Sequence, residues 1–148
     1  MNSQARTILL VEDNPRDEEL ALLALESSNI ANEVVVARDG AEAVDYLFGT
    51  GAYQDRDTSH QPQVILLDLK LPKLDGLEVL QRLRDDARTE LLPVVILTSS
   101  DEESDLVRSY KLRVNSYIRK PVDFVQFSQA IQHLGLYWLV MNKSAPRQ

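Results

Sequence analysis

The stretch Gln63-Val64-Ile65-Leu66-Leu67-Asp68-Leu69-Lys70 decides the fold. Four successive apolar residues without polar alternation suit a strand buried on both faces of a sheet. The run then ends in an aspartate. The same design recurs on either side, as Ile8-Leu9-Leu10-Val11 runs into Glu12-Asp13 and Tyr117-Ile118-Arg119 into Lys120-Pro121. Ionised carboxylates are costly to crowd together, so strand ends that gather them call for a cation, a phosphate-bearing partner, or both.

Strand candidates fall at about 7–12, 33–37, 63–68, 93–98 and 115–119, each rich in Val, Ile or Leu. Helix starts lie between them. Asn14 precedes Pro15 at a first helical position, and Asp39/Glu42, Asp75/Glu78, Ser100/Glu103 and Asp123/Gln126 have the spacing of capping pairs. Apolar spacing supports helices at Leu20, Leu23 and Ala24, at Leu77, Leu80 and Leu83, and at Phe127, Ile131 and Leu134. Alternating strands and helices predict an α/β fold, (βα)5, with a parallel sheet covered on both faces as a three-layer sandwich. Right-handed crossovers make the flavodoxin-like strand order 2-1-3-4-5 the expected one, with ligands outside the carboxyl ends of the first and third strands. Glu12, Asp13 and Asp68 stand at those two ends. Asp75 already starts the helix after the third strand, which leaves Asp68 with no expected structural role.

Composition narrows the function. A chain of 148 residues makes one domain, and 44% hydrophobic and 26% charged residues are ordinary for a globular protein. A net charge of -7 argues against binding a nucleic-acid backbone. With no cysteine, thiolate metal sites are excluded, and His60 and His133 are the only imidazoles. No apolar run is long enough to span a membrane, and a cytoplasmic location is expected.

Glu12-Asp13, Asp68, Thr98 and Lys120-Pro121, carried on five strand-helix units, together resemble the receiver domain of two-component response regulators. The resemblance covers about residues 6–136 of a single domain spanning 1–148. It implies that Asp68 accepts a phosphoryl group from a phosphohistidine on a sensor histidine kinase, and that Glu12 and Asp13 help hold Mg²⁺. Magnesium prefers six oxygens and keeps several waters, so Asp13, Asp68 and the backbone carbonyl of Lys70 are the expected direct ligands, with Glu12 acting through water. Lys120 supplies a point charge for Asp68 and then for the phosphate, and Thr98 a rotatable hydroxyl. Inward movement of Thr98 leaves space for Tyr117, the expected switch aromatic, and directs output to the face of the fourth helix, fifth strand and fifth helix. Such a chain is a phosphoacceptor switch that assists its own phosphorylation and dephosphorylation, and is not expected to be an enzyme in its own right.

Two segments extend this pattern. The polar stretch 49–62 is long for a helix-to-strand connection and reads as a flexible surface loop or a kinase-selecting contact. Similar insertions occur in stand-alone regulators paired with phytochrome-type kinases, and this chain resembles that group. Further on, six consecutive apolar residues from Leu136 to Met141 exceed what one helix face can bury. Leu136, Tyr137, Leu139 and Val140 are therefore expected at a homodimer interface. With no second core in the sequence, the signal is expected to pass to a downstream phosphotransfer or target protein.

Two other classes fit less well. A haloacid-dehalogenase-like phosphatase expects a second Asp two residues after its nucleophile, where Lys70 stands. A non-phosphorylated interaction module of the same fold leaves the carboxylate cluster unexplained.

Overall fold

The computed structural model describes residues 7–28, 33–98, 111–120 and 123–133. Five parallel strands form one sheet, β1 (Thr7–Val11), β2 (Glu33–Ala37), β3 (Val64–Asp68), β4 (Val94–Thr98) and β5 (Ser116–Arg119). Their order is β2-β1-β3-β4-β5. This is the flavodoxin-like arrangement expected from the apolar runs, and each strand lies within one residue of its predicted bounds at either end.

Because successive strand residues point to opposite faces, the sheet feeds two cores. Leu9, Val11, Ile65, Leu67, Val94 and Ile96 face one side with Leu47, Val79, Leu80 and Leu83. Those last four come from α2 (Gly40–Phe48) and α3 (Gly76–Arg84). Ile8, Leu10, Val64, Leu66, Val95 and Leu97 face the other side with Ala21, Ala24, Leu25, Phe127 and Ile131. These residues belong to α1 (Pro15–Ser28) and to a helix over 124–133. Deleting one such side chain to Ala costs about 2–5 kcal/mol, so the strands that carry the site are firmly held.

Capping side chains fix where helices begin. Asn14 Oδ1 accepts from the Arg16 and Asp17 amides, Asp39 Oδ1 from Glu42, Asp75 Oδ1 from Glu78, and Asp123 Oδ1 from Gln126. Glu42 does not reach back to Asp39; its Oε1 accepts from the preceding Arg38 amide at 2.9 Å. The Ser100/Glu103 pair, the expected fourth helix and the apolar run with Leu136, Tyr137, Leu139 and Val140 lie outside the described residues.

The 49–62 connection, expected as a flexible surface loop or a kinase-selecting contact, has contacts of its own. Gly49 closes α2 in the left-handed region at φ 68°, and a short 3-10 turn follows at Gly51–Tyr53. The Tyr53 ring meets Tyr46 edge-on at 5.1 Å, and the Arg56 guanidinium lies 3.9 Å over the Tyr46 ring. Arg56 also donates to the carbonyls of Tyr46 and His60, while Gln61 donates to those of Leu47 and Thr58. One cation on one aromatic face, tied to carbonyls, gives a polar segment its own small core. The Gln63 amide then bonds the Thr7 carbonyl at 2.8 Å, which puts the segment at the amino ends of the strands, away from Asp68.

A second clasp joins two other connections. Arg84, at the end of α3, donates to the carbonyls of Leu112, Glu90, Leu92 and Arg113 at 2.7–2.9 Å. Burial, and then the charge of Arg113, lower its pKa.

Candidate functional site

Parallel register brings the charged strand ends level. Val11 pairs with Leu67, Asp68 with Leu97, and Thr98 with Arg119, so the residues that follow β1 and β5 sit beside the last residues of β3 and β4. The Glu12 amide bonds the Ala37 carbonyl, and the Lys120 amide bonds that of Thr98 at 2.8 Å. Backbone bonding continues one residue past two strands and aims Glu12 and Lys120 into a common space.

Glu12 is fully buried, while Asp68 and Thr98 are buried and Asp13 is exposed at the rim. Lys120 Nζ lies 2.9 Å from Glu12 Oε2, 2.9 Å from Asp68 Oδ2 and 3.1 Å from Asp17 Oδ2. Its side chain is only 10% exposed. Burial works against the ammonium, but the hydrogen bonds to Asp68 and Glu12 outweigh it and raise the Lys120 pKa, so the lysine stays charged. Burial pushes the Glu12 carboxyl up to about 7, against the hydrogen bond from Lys120 and with Asp68 adding its repulsion. One cation therefore does not satisfy this pocket.

Carboxylate oxygens of Glu12, Asp13 and Asp68 lie within 4.8 Å of one another. Glu12 Oε1 is buried and has no hydrogen-bond partner, although Oε2 takes both Lys120 and the Asn14 amide. An orphaned buried oxygen beside two further carboxylates is an all-oxygen donor set, which fits a hard divalent cation such as Mg²⁺.

Asp68 has a structural role after all. Its Oδ1 accepts from the Lys70 amide at 3.1 Å, closing the turn after β3. Lys70 itself is exposed. Gly76 is required close by, since a Cβ there would come within 2.2 Å of the Asp68 carbonyl oxygen. Tyr117 is half-buried on β5 opposite Ile96 and packs against the core that α2 and α3 cover. A groove of about 470 Å³ adjoins the rim, lined among others by Asp13, Glu18, Leu22, Leu23 and Arg38.

Asp17 is the residue that sequence reasoning missed. It reads as one more acid in the first turn of α1, where carboxylates favour the helix dipole. The signal that could have found it is redundancy. Asn14 already caps the helix, and Asp17 stands one helical turn beyond Asp13, on the side facing the strand ends.

Known proteins are similar to this chain in sequence and in fold. Response regulator Rcp1 of Synechocystis sp. is 39% identical over 134 residues, covering 90% of this chain and 89% of Rcp1. Its Mn²⁺-bound structure superimposes with a TM-score of 0.79 at 36% identity, over 97% of this chain and 99% of that one. The bacteriophytochrome response regulator AtBRR is 61% identical with a TM-score of 0.77, covering 92% and 96% of the two chains. The phosphorylated cyanobacterial phytochrome response regulator RcpA gives 42% identity and a TM-score of 0.80, covering 92% and 95%. A family profile described as the response regulator receiver domain matches residues 8–132. A match over most of the chain, with relatives of this identity and the shared sheet order, shows that the chain belongs to the response regulator receiver domain family.

Proposed function

We propose that this chain is a phosphoacceptor switch in which Asp68 takes a phosphoryl group from a sensor histidine kinase in a Mg²⁺-dependent reaction. The observation that carries the reading is the buried Asp68 carboxylate, 2.9 Å from Lys120 Nζ and within 4.8 Å of Glu12 and Asp13 oxygens. A carboxylate attacking a phosphoryl group meets a cluster of negative oxygens, so charge neutralisation and alignment are the main requirements. Lys120 supplies one positive charge. Asp13, Asp68, the Lys70 carbonyl and Glu12, the last through water, would hold Mg²⁺, which supplies the rest. The N–P bond of phosphohistidine breaks as the Asp68 O–P bond forms, and the imidazole keeps the electron pair.

Thr98 at the end of β4 would turn its hydroxyl to the new phosphate oxygens, with Tyr117 as the coupled aromatic. Likeness to bacteriophytochrome and phytochrome response regulators supports a phytochrome-type kinase as donor. Among the described residues no helix is long and apolar enough to cross a membrane, and we infer a cytoplasmic encounter. We also assign the signal's exit to a downstream phosphotransfer or target protein, with homodimerisation through the fourth helix, fifth strand and fifth helix.

Acetyl phosphate tests the chemistry. With Mg²⁺ the parent should form an adduct that is stable in acid and labile in alkali. Asp68→Asn should abolish it, as should chelation of the metal. An equal adduct on Asp68→Asn would sink the reading. Phosphotransfer profiling against sensor kinases, phytochrome-type ones included, then tests the donor.

A further inference from the structure

Three carboxylates surround Lys120 Nζ, and only two of them belong to the cation group. Glu12 and Asp68 are among the clustered oxygens that fit a metal, and Asp17 is not. Asp17 is nevertheless buried, 7% exposed, with Oδ2 3.1 Å from the ammonium. Its backbone amide is served by Asn14 Oδ1, so the Asp17 side chain is not needed to cap α1. Burying a carboxylate that does no capping work is costly unless its charge partner matters.

We propose that Asp17 is a positioning residue for Lys120 during phosphoryl transfer. This rests on Asp68 being the phosphoacceptor. As the Asp68 oxygen attacks the phosphorus of acetyl phosphate, the new O–P bond forms, the acetyl O–P bond breaks, and acetate leaves with the electron pair. No proton enters the balance. Asp68 thereby changes from a full carboxylate to an acyl phosphate and loosens its hold on the ammonium. Glu12 belongs to the carboxylate group that would hold Mg²⁺. Among the three described carboxylates that touch Lys120, Asp17 alone is neither the phosphoacceptor nor a member of the clustered group that fits a cation. It holds Nζ beside Asp68, where the phosphoryl oxygens arrive.

Asp17→Asn keeps the size of the side chain and removes its charge. Losing one charge-assisted hydrogen bond should lower the maximal rate of phosphorylation by acetyl phosphate about tenfold. Mg²⁺ affinity, followed by calorimetry, should stay within about twofold, because Asp17 lies outside the cation group. Asp17→Glu should recover part of the rate. In a Lys120→Ala background, Asp17→Asn should have no further effect on rate, which a merely structural role would not produce. A parental rate for Asp17→Asn, or an equal loss with and without Lys120, overturns the role of Asp17 alone. A parent that acquires no adduct on Asp68 overturns the phosphoacceptor reading, and this proposal with it.

Discussion

Glu12 carries a carboxylate with no exposure at all, one oxygen of which has no hydrogen-bond partner. Its pKa, raised to about 7, has a sign that can be checked in the absence of metal. Between about pH 4.5 and 7 the folded chain keeps a proton that the unfolded chain has released, so this group's contribution to stability falls as pH rises through that window. Glu12→Gln removes the effect. Relative to the parent, the variant should gain on the order of 1–3 kcal/mol between pH 5 and pH 8, read from urea unfolding with a chelator present. A parent and variant that follow parallel pH curves would refute the burial argument. That Asp68 and Lys120 stand at strand ends was readable in the sequence, because each directly follows a strand-forming run. Asp17 was not, because a first-turn acid on a helix is common and its partner lies over a hundred positions away in the chain.

Elements show which local signals travel and which do not. Strand bounds were legible because continuous Val, Ile and Leu runs leave little choice, and helix starts because Asn14, Asp39, Asp75 and Asp123 each cap as their spacing predicts. The contacts within the 49–62 segment were hidden. A sequence of Gly, Asp, Ser and Gln reads as loop, and the contact that organises it, Arg56 over Tyr46, joins residues ten apart with no periodic signature. Arg56→Ala should cost about 1–2 kcal/mol in urea unfolding, from the lost ring contact and the carbonyls left unserved. The same variant should accept phosphate at the parental rate. Arg84 was equally misleading, since a basic residue in a helix's last turn reads as dipole compensation. Its guanidinium serves four carbonyls from two connections, a task one ammonium cannot cover. Arg84→Lys should therefore destabilise by about 2–4 kcal/mol, checked by the midpoint of denaturant unfolding.

Across the whole molecule, the site spans nearly the full chain, since Glu12 and Lys120 meet at a sequence separation of 108. Residues from the ends of β1, β3, β4 and β5 converge there, so a bound cation stabilises the sheet as a unit and not one loop. Mg²⁺ at a hundred times its dissociation constant should add about 2.7 kcal/mol. For a chain of this length that raises Tm by roughly 5–11 °C, measurable by calorimetry with and without chelator. Asp13→Asn should remove most of the rise. An unchanged Tm in the parent would argue against the cation reading of the acidic cluster.

Distance gives the Arg56–Tyr46 segment a further meaning. It stands at the amino ends of strands whose carboxyl ends carry Asp68, about 16 Å away along a five-residue strand. Changes that lengthen or recharge that corner of the surface would therefore fall at the far end of the strands from Asp68 and Lys120. A lineage that duplicated this chain could give each copy its own recognition badge while inheriting one unaltered chemical engine.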